Sequence, residues 1–170
     1  MNNPLIQIPE KFRASHPILL QKIGKFFLTI TGWKFKGDIP RSDRIILVAG
    51  PHTSNWDFLL ALAFIFGLNL NVFWIGKHTL FKNGFSKIMR KLGGIPVDRA
   101  SPELLMNEVS HIVKKQQGVI IAISPEGTRK KVERLKSGFL RIAKTTNSQI
   151  LLAGIDSVSY THLRAHETDS

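Results

Sequence analysis

The chain has 170 residues, 43% of them hydrophobic and 21% charged, a balance that excludes wholesale disorder and fits one domain better than two. Lys and Arg number 24 against 12 Asp and Glu, and the resulting formal charge of +12 points to an anionic partner: nucleic acid, an anionic lipid surface or a phosphorylated metabolite. With no cysteine, disulfides, thiolate metal ligands and a cysteine nucleophile are excluded.

The first twelve residues hold two prolines and only scattered apolar side chains, so no secretory signal is expected there. From His16 to about Phe35 the apolar residues Leu19, Ile23, Phe26, Ile30 and Trp33 recur at helical spacing, joined by Leu20 and Phe27. Lys22 and Lys25 interrupt the stretch and argue against a transmembrane span. Two readings remain open, a helix packed on its own domain and a helix lying in a membrane interface.

Residues 44–50 form a short unalternating apolar run, the pattern of a strand buried on both faces. Residues 58–66 read as an apolar helix stopped at Gly67, and residues 71–76 as a second strand. The nineteen residues 58–76 carry no charge, but Gly67, Asn69 and Asn71 break them into two pieces of soluble element length. Phe81, Phe85, Ile88 and Leu92 predict a helix over residues 79–92, capped by Gly93 and Gly94. Ser101-Pro102-Glu103 opens a further helix with an N-cap serine, its stripe being Leu105, Val109, Ile112 and Val113. Residues 118–124 predict a third strand, 134–145 a helix and 149–155 a fourth strand. Continuous apolar strands alternating with helices imply an α/β fold, a mainly parallel sheet flanked by helices with an N-terminal amphipathic helix.

Residues 157–170 lack any apolar period and resemble the translated read-through of a sequencing adapter, so they are set aside from the fold as a non-native tail. The tail pairs Arg164 against Glu167 and Asp169, which leaves the basic excess in the residues before it. The expected organisation is an N-terminal amphipathic, membrane-interfacial segment over 1–40, a domain over 41–156 that is incomplete at its C-terminus, and the tail.

The chemistry-bearing residues cluster where strands end. Just past the first strand stand His52 and Asp57, and groups at that edge of a parallel sheet are well placed to bind or react. Five residues apart, they would sit about 140° around an ideal helix, so the geometry needs His52 in a turn and Asp57 in the first turn of the following helix. Asp57 would then hold the imidazole tautomer and leave the other ring nitrogen free to accept a hydroxyl proton. The bland alternative is a capping box, Ser54-x-x-Asp57, ahead of an apolar helix. Past the third strand, Pro125-Glu126-Gly127-Thr128-Arg129 makes a basic turn able to hold a phosphate, or simply a solvated turn. Ile95-Pro96-Val97-Asp98-Arg99 places another arginine beside a sheet end, where Asp98 and Arg99 could equally form a surface ion pair. No His and carboxylate set has metal-ligand spacing.

In this order, the three segments resemble the glycerolipid acyltransferase family of the 1-acylglycerol-3-phosphate acyltransferase type. The basic-Gly-aromatic stretch Leu135-Lys136-Ser137-Gly138-Phe139 also fits it, whereas residues 151–155 lack the proline usual in the family's fourth block. The resemblance implies an O-acyltransferase with His52 as general base and Asp57 as its orienter. Arg99, Glu126, Gly127, Thr128 and Arg129 are implied to bind the acceptor, the arginines at its phosphate. The donor would be acyl-CoA or acyl carrier protein as co-substrate, with no further cofactor, and the acceptor a lysophospholipid hydroxyl. Without a cysteine or a Gly-x-Ser-x-Gly elbow, no acyl-enzyme is expected. An anionic membrane is the expected partner surface, on the cytoplasmic face of a bacterial membrane. The rivals are an acyltransferase for another lipid acceptor and a non-catalytic basic lipid-binding module. No nucleic-acid partner is expected, since no helix-turn-helix, aromatic RNA-binding block or zinc motif is present.

Overall fold

The structure, a computed structural model, describes residues 8–33, 35–37, 39–50, 55–82, 84–98, 100–125, 137–154 and 161–165. Seven strands form one sheet: β1 (Phe35–Lys36), β2 (Arg44–Gly50), β3 (Val72–Lys77), β4 (Gly94–Val97), β5 (Val119–Ile123), β6 (Gln149–Gly154) and β7 (Thr161–Ala165). Their order across the sheet is β1-β7-β6-β2-β5-β3-β4. The five strands from β6 to β4 are mutually parallel, β7 runs antiparallel to β6, and β1 is parallel to β7. Five helices accompany the sheet: α1 (Ile18–Thr31), α2 (Asn55–Gly67), α3 (Ser86–Lys91), α4 (Pro102–Lys115) and α5 (Gly138–Thr146). The expected α/β fold with a mainly parallel, helix-flanked sheet is what forms.

Burial on both faces explains the unalternating strands. Ile45 and Ile46 are both fully buried, though a strand points them to opposite sides. Ile46, Val48, Ile121 and Ile150 pack on Met106, Val109 and Val113 of α4 and Ile142 of α5. Ile45, Ile120 and Leu151 face the other way, toward Ile65 and Phe66 of α2 and toward Phe12. The charge-free run 58–76 divides as its composition predicts: α2 ends at Gly67, Asn69 takes φ +54°, and β3 begins at Val72. No helix among the described residues is long and apolar enough to cross a membrane.

The segment ahead of α1 is stitched onto the α2–β3 turn. The Ala14 amide donates to Asn69 O at 2.8 Å, Asn69 Nδ2 donates to Ala14 O at 2.6 Å, and the Asn71 amide donates to Phe12 O at 2.7 Å. His16 Nε2 lies 3.0 Å from Leu70 O and its ring stands edge-on to Phe66. Phe12 consequently has no exposed surface. Helix α1 then crosses α2 at Gly24, where an added Cβ would lie 2.6 Å from Gly67 N and 2.8 Å from Ala63 O. Only glycine permits so close an approach of the two backbones. The helix turns toward α2 the side bearing Leu20 and Gly24, while Ile18, Leu19, Ile23, Phe26 and Ile30 remain exposed.

Three expectations change. The helix predicted over 79–92 is instead a 3-10 turn (His78–Phe81) followed by the short α3, with Gly84 at φ +81° between them. Its supposed single stripe divides accordingly: Phe81 and Leu92 pack inward, whereas Phe85 and Ile88 are exposed. Residues 94–97, for which no strand is expected from the sequence, form edge strand β4, and edge position accommodates Pro96, which lacks an amide donor. Ser101 precedes α4 but makes no side-chain capping bond; Asp98 Oδ1 accepts from the Ala100 amide nearby at 3.0 Å. Strand β7 falls within residues 157–170, the stretch expected to be a non-native tail.

Candidate active site

All five parallel strands present their carboxyl ends at one edge. Pairing of Val48 with Ile123, continued by two residues, brings Gly50 level with Pro125, while Lys77 pairs with Val97. The chain segments bearing His52, Arg99 and Glu126 to Arg129 therefore depart from strand ends on this edge.

Topology singles out one place along it. From β2 the chain passes through α2 on one face of the sheet, and from β5 it passes through α5 on the other. Strands β2 and β5 are nearest neighbours, so the two connections part to opposite faces above them. Such a switch point opens a crevice at the carboxyl edge, the place where open α/β sheets bind ligands. The loop from β4 starts two strands away from β5, roughly 10 Å along the edge at the usual spacing.

Of the site residues expected from sequence, Asp57 is described directly. It lies in the first turn of α2, partly buried, where the His-x4-Asp spacing requires it and where the helix dipole favours a carboxylate. His52, Arg99, Glu126, Gly127, Thr128 and Arg129 lie outside the described residues. Their anchors do not: Gly50 and α2 bracket His52, Asp98 and Ala100 bracket Arg99, and Pro125, itself buried, leads into residues 126–129. Among the described residues no group of three His, Cys, Asp or Glu could hold a metal ion.

Beneath α2 lies a feature that sequence reasoning misses, an apolar cavity of about 200 Å³. It runs from Leu70 and Val72 near the amino ends of the strands to Ala49 and Ser124 at their carboxyl ends, with Phe58 and Trp74 along its wall. Its cause is local. Ala49 and Ala153 are direct cross-strand partners, and Ala122 pairs with both Leu47 and Trp74, so small side chains stand together below the helix. The signal was the alanine inside three of the four apolar strand runs, at residues 49, 122 and 153. Trp74 is fixed over the cavity by donating from Nε1 to Leu92 O at 2.8 Å and by stacking on Phe81 at 5.8 Å.

Comparison with known proteins agrees with this geometry. The Acyltransferase family model matches residues 33–155. No curated protein matches the chain. Among solved structures it is similar to the 1-acyl-sn-glycerophosphate (LPA) acyltransferase PlsC from Thermotoga maritima, with 25% identity and a TM-score of 0.56. That similarity covers 88% of this chain and 66% of the other, so the chain spans just under two thirds of the length of that relative. The family match takes in all three motif segments, from His52 through residues 95–99 to residues 125–129, and the chain belongs to the acyltransferase family.

Proposed function

We propose that the chain is an O-acyltransferase that moves a fatty acyl group from an acyl thioester to the free hydroxyl of a lysophospholipid such as 1-acylglycerol-3-phosphate. The observation that carries this reading is the switch-point crevice between β2 and β5, with one family motif on each of the two diverging connections. His52 takes the acceptor's hydroxyl proton, with Asp57 on α2 holding the imidazole in the productive tautomer. The acceptor oxygen attacks the thioester carbonyl, the carbon–sulfur bond breaks, and the leaving thiolate receives the proton from His52. Arg99 and Arg129 neutralise the acceptor phosphate, with Glu126, Gly127 and Thr128 completing its loop. Acyl-CoA and acyl carrier protein both fit as donor.

Two features support the choice of an acylated lipid. The cavity beneath α2 is almost wholly apolar and reaches Ala49 and Ser124, which stand three and two residues ahead of His52 and Glu126, so it suits a fatty chain whose reacting end lies at the crevice. The exposed apolar side of α1, flanked by Lys22 and Lys25, suits a helix lying in an anionic membrane interface, and the enzyme acts peripherally on the cytoplasmic face. The test is product identification by mass spectrometry after incubation with acyl-CoA or acyl carrier protein and a panel of lysolipids. A diacyl phospholipid formed from the phosphate-bearing acceptor supports the reading; a product from a non-phosphate lysolipid alone reassigns the acceptor.

A further inference from the structure

We infer that the 3-10 turn and α3, residues 78–91, form a second membrane-contact surface that works together with α1. The inference rests on the bilayer reading of α1 proposed above. Leu80, Phe85 and Ile88 are each more than half exposed, at 53%, 58% and 51%. They are not loose: on the inner side of the same short stretch, Phe81, Met89 and Leu92 pack into the core around Trp74. The outward apolar residues are therefore held in place by inward ones a few positions away. Phe58 of α2 meets Trp74 edge-on at 4.9 Å and Phe81 stacks on it at 5.8 Å, so α2 and the turn lie over one tryptophan on one face of the sheet. Leu20 of α1 packs into the same hydrophobic cluster, so α1, α2 and the turn lie on one face of the sheet, and α1 and the Leu80–Phe85–Ile88 stretch each carry exposed apolar residues there.

Charge decides the occupant. Helix α1 and residues 77–97 together contain Lys22, Lys25, Lys77, Lys82, Lys87 and Lys91, with no Asp or Glu among them. Among the described residues none of these six lysines forms an ion pair, while Arg90 reaches across to Glu108 at 2.7 Å. The acids Glu103 and Glu108 lie on α4, which packs on the other face of the sheet, and of these Glu108 meets the rim of α3 through Arg90. Exposed apolar side chains on two elements that carry cations and no acid of their own match an anionic bilayer. Gly76, beside Leu80, lies at the carboxyl end of β3, so contact here would bring the crevice edge to the lipid surface from which an acceptor must come.

The native lack of cysteine allows a direct test on the full chain. Single variants Phe85→Cys, Ile23→Cys and, on the opposite face, His111→Cys would each carry an environment-sensitive fluorophore. With phosphatidylglycerol-containing vesicles, the labels at positions 85 and 23 should shift to the blue and be quenched by spin-labelled lipid, and the label at 111 should not. A combined Leu80→Ser, Phe85→Ser, Ile88→Ser variant with an unchanged circular dichroism spectrum should partition onto those vesicles roughly tenfold more weakly. A label at 85 that stays in water while that at 23 inserts overturns the inference and leaves α1 as the membrane contact. Insertion of neither overturns both. Shielding of position 85 without lipid, by a second copy or by an acidic carrier protein, gives the surface to a protein partner and also overturns it. Because the readout needs no turnover, none of these outcomes depends on the acyltransferase assay.

Discussion

Replacing Gly24 by alanine tests how the N-terminal helix is held. The new Cβ would stand 2.6 Å from Gly67 N, 2.8 Å from Ala63 O and 3.0 Å from Gly67 Cα, all backbone atoms that cannot swing aside. Restoring an ordinary contact of about 3.4 Å at the closest atom separates α1 from α2 by ~0.8 Å, and overpacking of this kind costs about 1–3 kcal/mol. Alanine returns about 1 kcal/mol through its better helix propensity, leaving a net loss near 1 kcal/mol. For a chain of this size that loss lowers Tm by about 2–4 °C. Gly138→Ala is the internal reference, because at that helix start a Cβ meets nothing within 4 Å. Thermal melts followed by circular dichroism should therefore show Gly24→Ala below the parent and Gly138→Ala at or above it. Equal melting of the two variants would refute the close crossing and the orientation of the exposed α1 face that follows from it.

Phe12→Ala should cost about 3–5 kcal/mol in urea unfolding, since a wholly buried ring leaves a cavity where the N-terminal segment joins the core. Ala122→Phe, which fills the space beneath α2, should shorten the longest acyl chain accepted while sparing short donors; unchanged chain selectivity would separate that cavity from substrate. Lys11 Nζ donates to Asp43 Oδ1 at 2.6 Å, and this hydrogen bond, with the lysine's charge, holds the carboxyl below its ordinary value. A depressed folded pKa means the contact supports the fold above the ordinary carboxylate range and ceases to do so as pH falls through the folded value. An NMR titration should show Asp43 titrating lower in the parent than in Lys11→Met.

The elements that sequence makes legible are those whose burial is extreme. Residues 44–50 and 119–123 have no polar alternation because both of their faces are covered, and their bounds follow almost to the residue. Helix α4 is equally plain, with Pro102 at its start and Val109 and Val113 buried on its stripe. Periodicity fails where a backbone break leaves the spacing intact. The stripe Phe81, Phe85, Ile88, Leu92 continues across Gly84, yet a residue at φ +81° reverses which side faces the core. Strand β4 is hidden by brevity and by Pro96, tolerable only because the strand lies at the sheet edge. Two of the motif segments were legible because they follow the apolar runs of β2 and β5, whereas residues 95–97 of the remaining one lie within β4 itself, and the sheet order that makes β2 and β5 neighbours is not written in any local pattern. The cavity escaped for a related reason: alanines at 49, 122 and 153 become a space only when register aligns them under α2.

The central claim, acyl transfer with His52 as base, is tested most directly by thiol release from acyl-CoA in the presence of lysophosphatidate and anionic vesicles. Parent and His52→Ala proteins are compared at matched circular dichroism spectra. A positioned general base is worth about 10²–10⁴-fold, so the account predicts acceptor-dependent thiol release from the parent that falls by at least about a hundredfold in the variant. Acceptor-dependent release of equal rate from both folded proteins would contradict it.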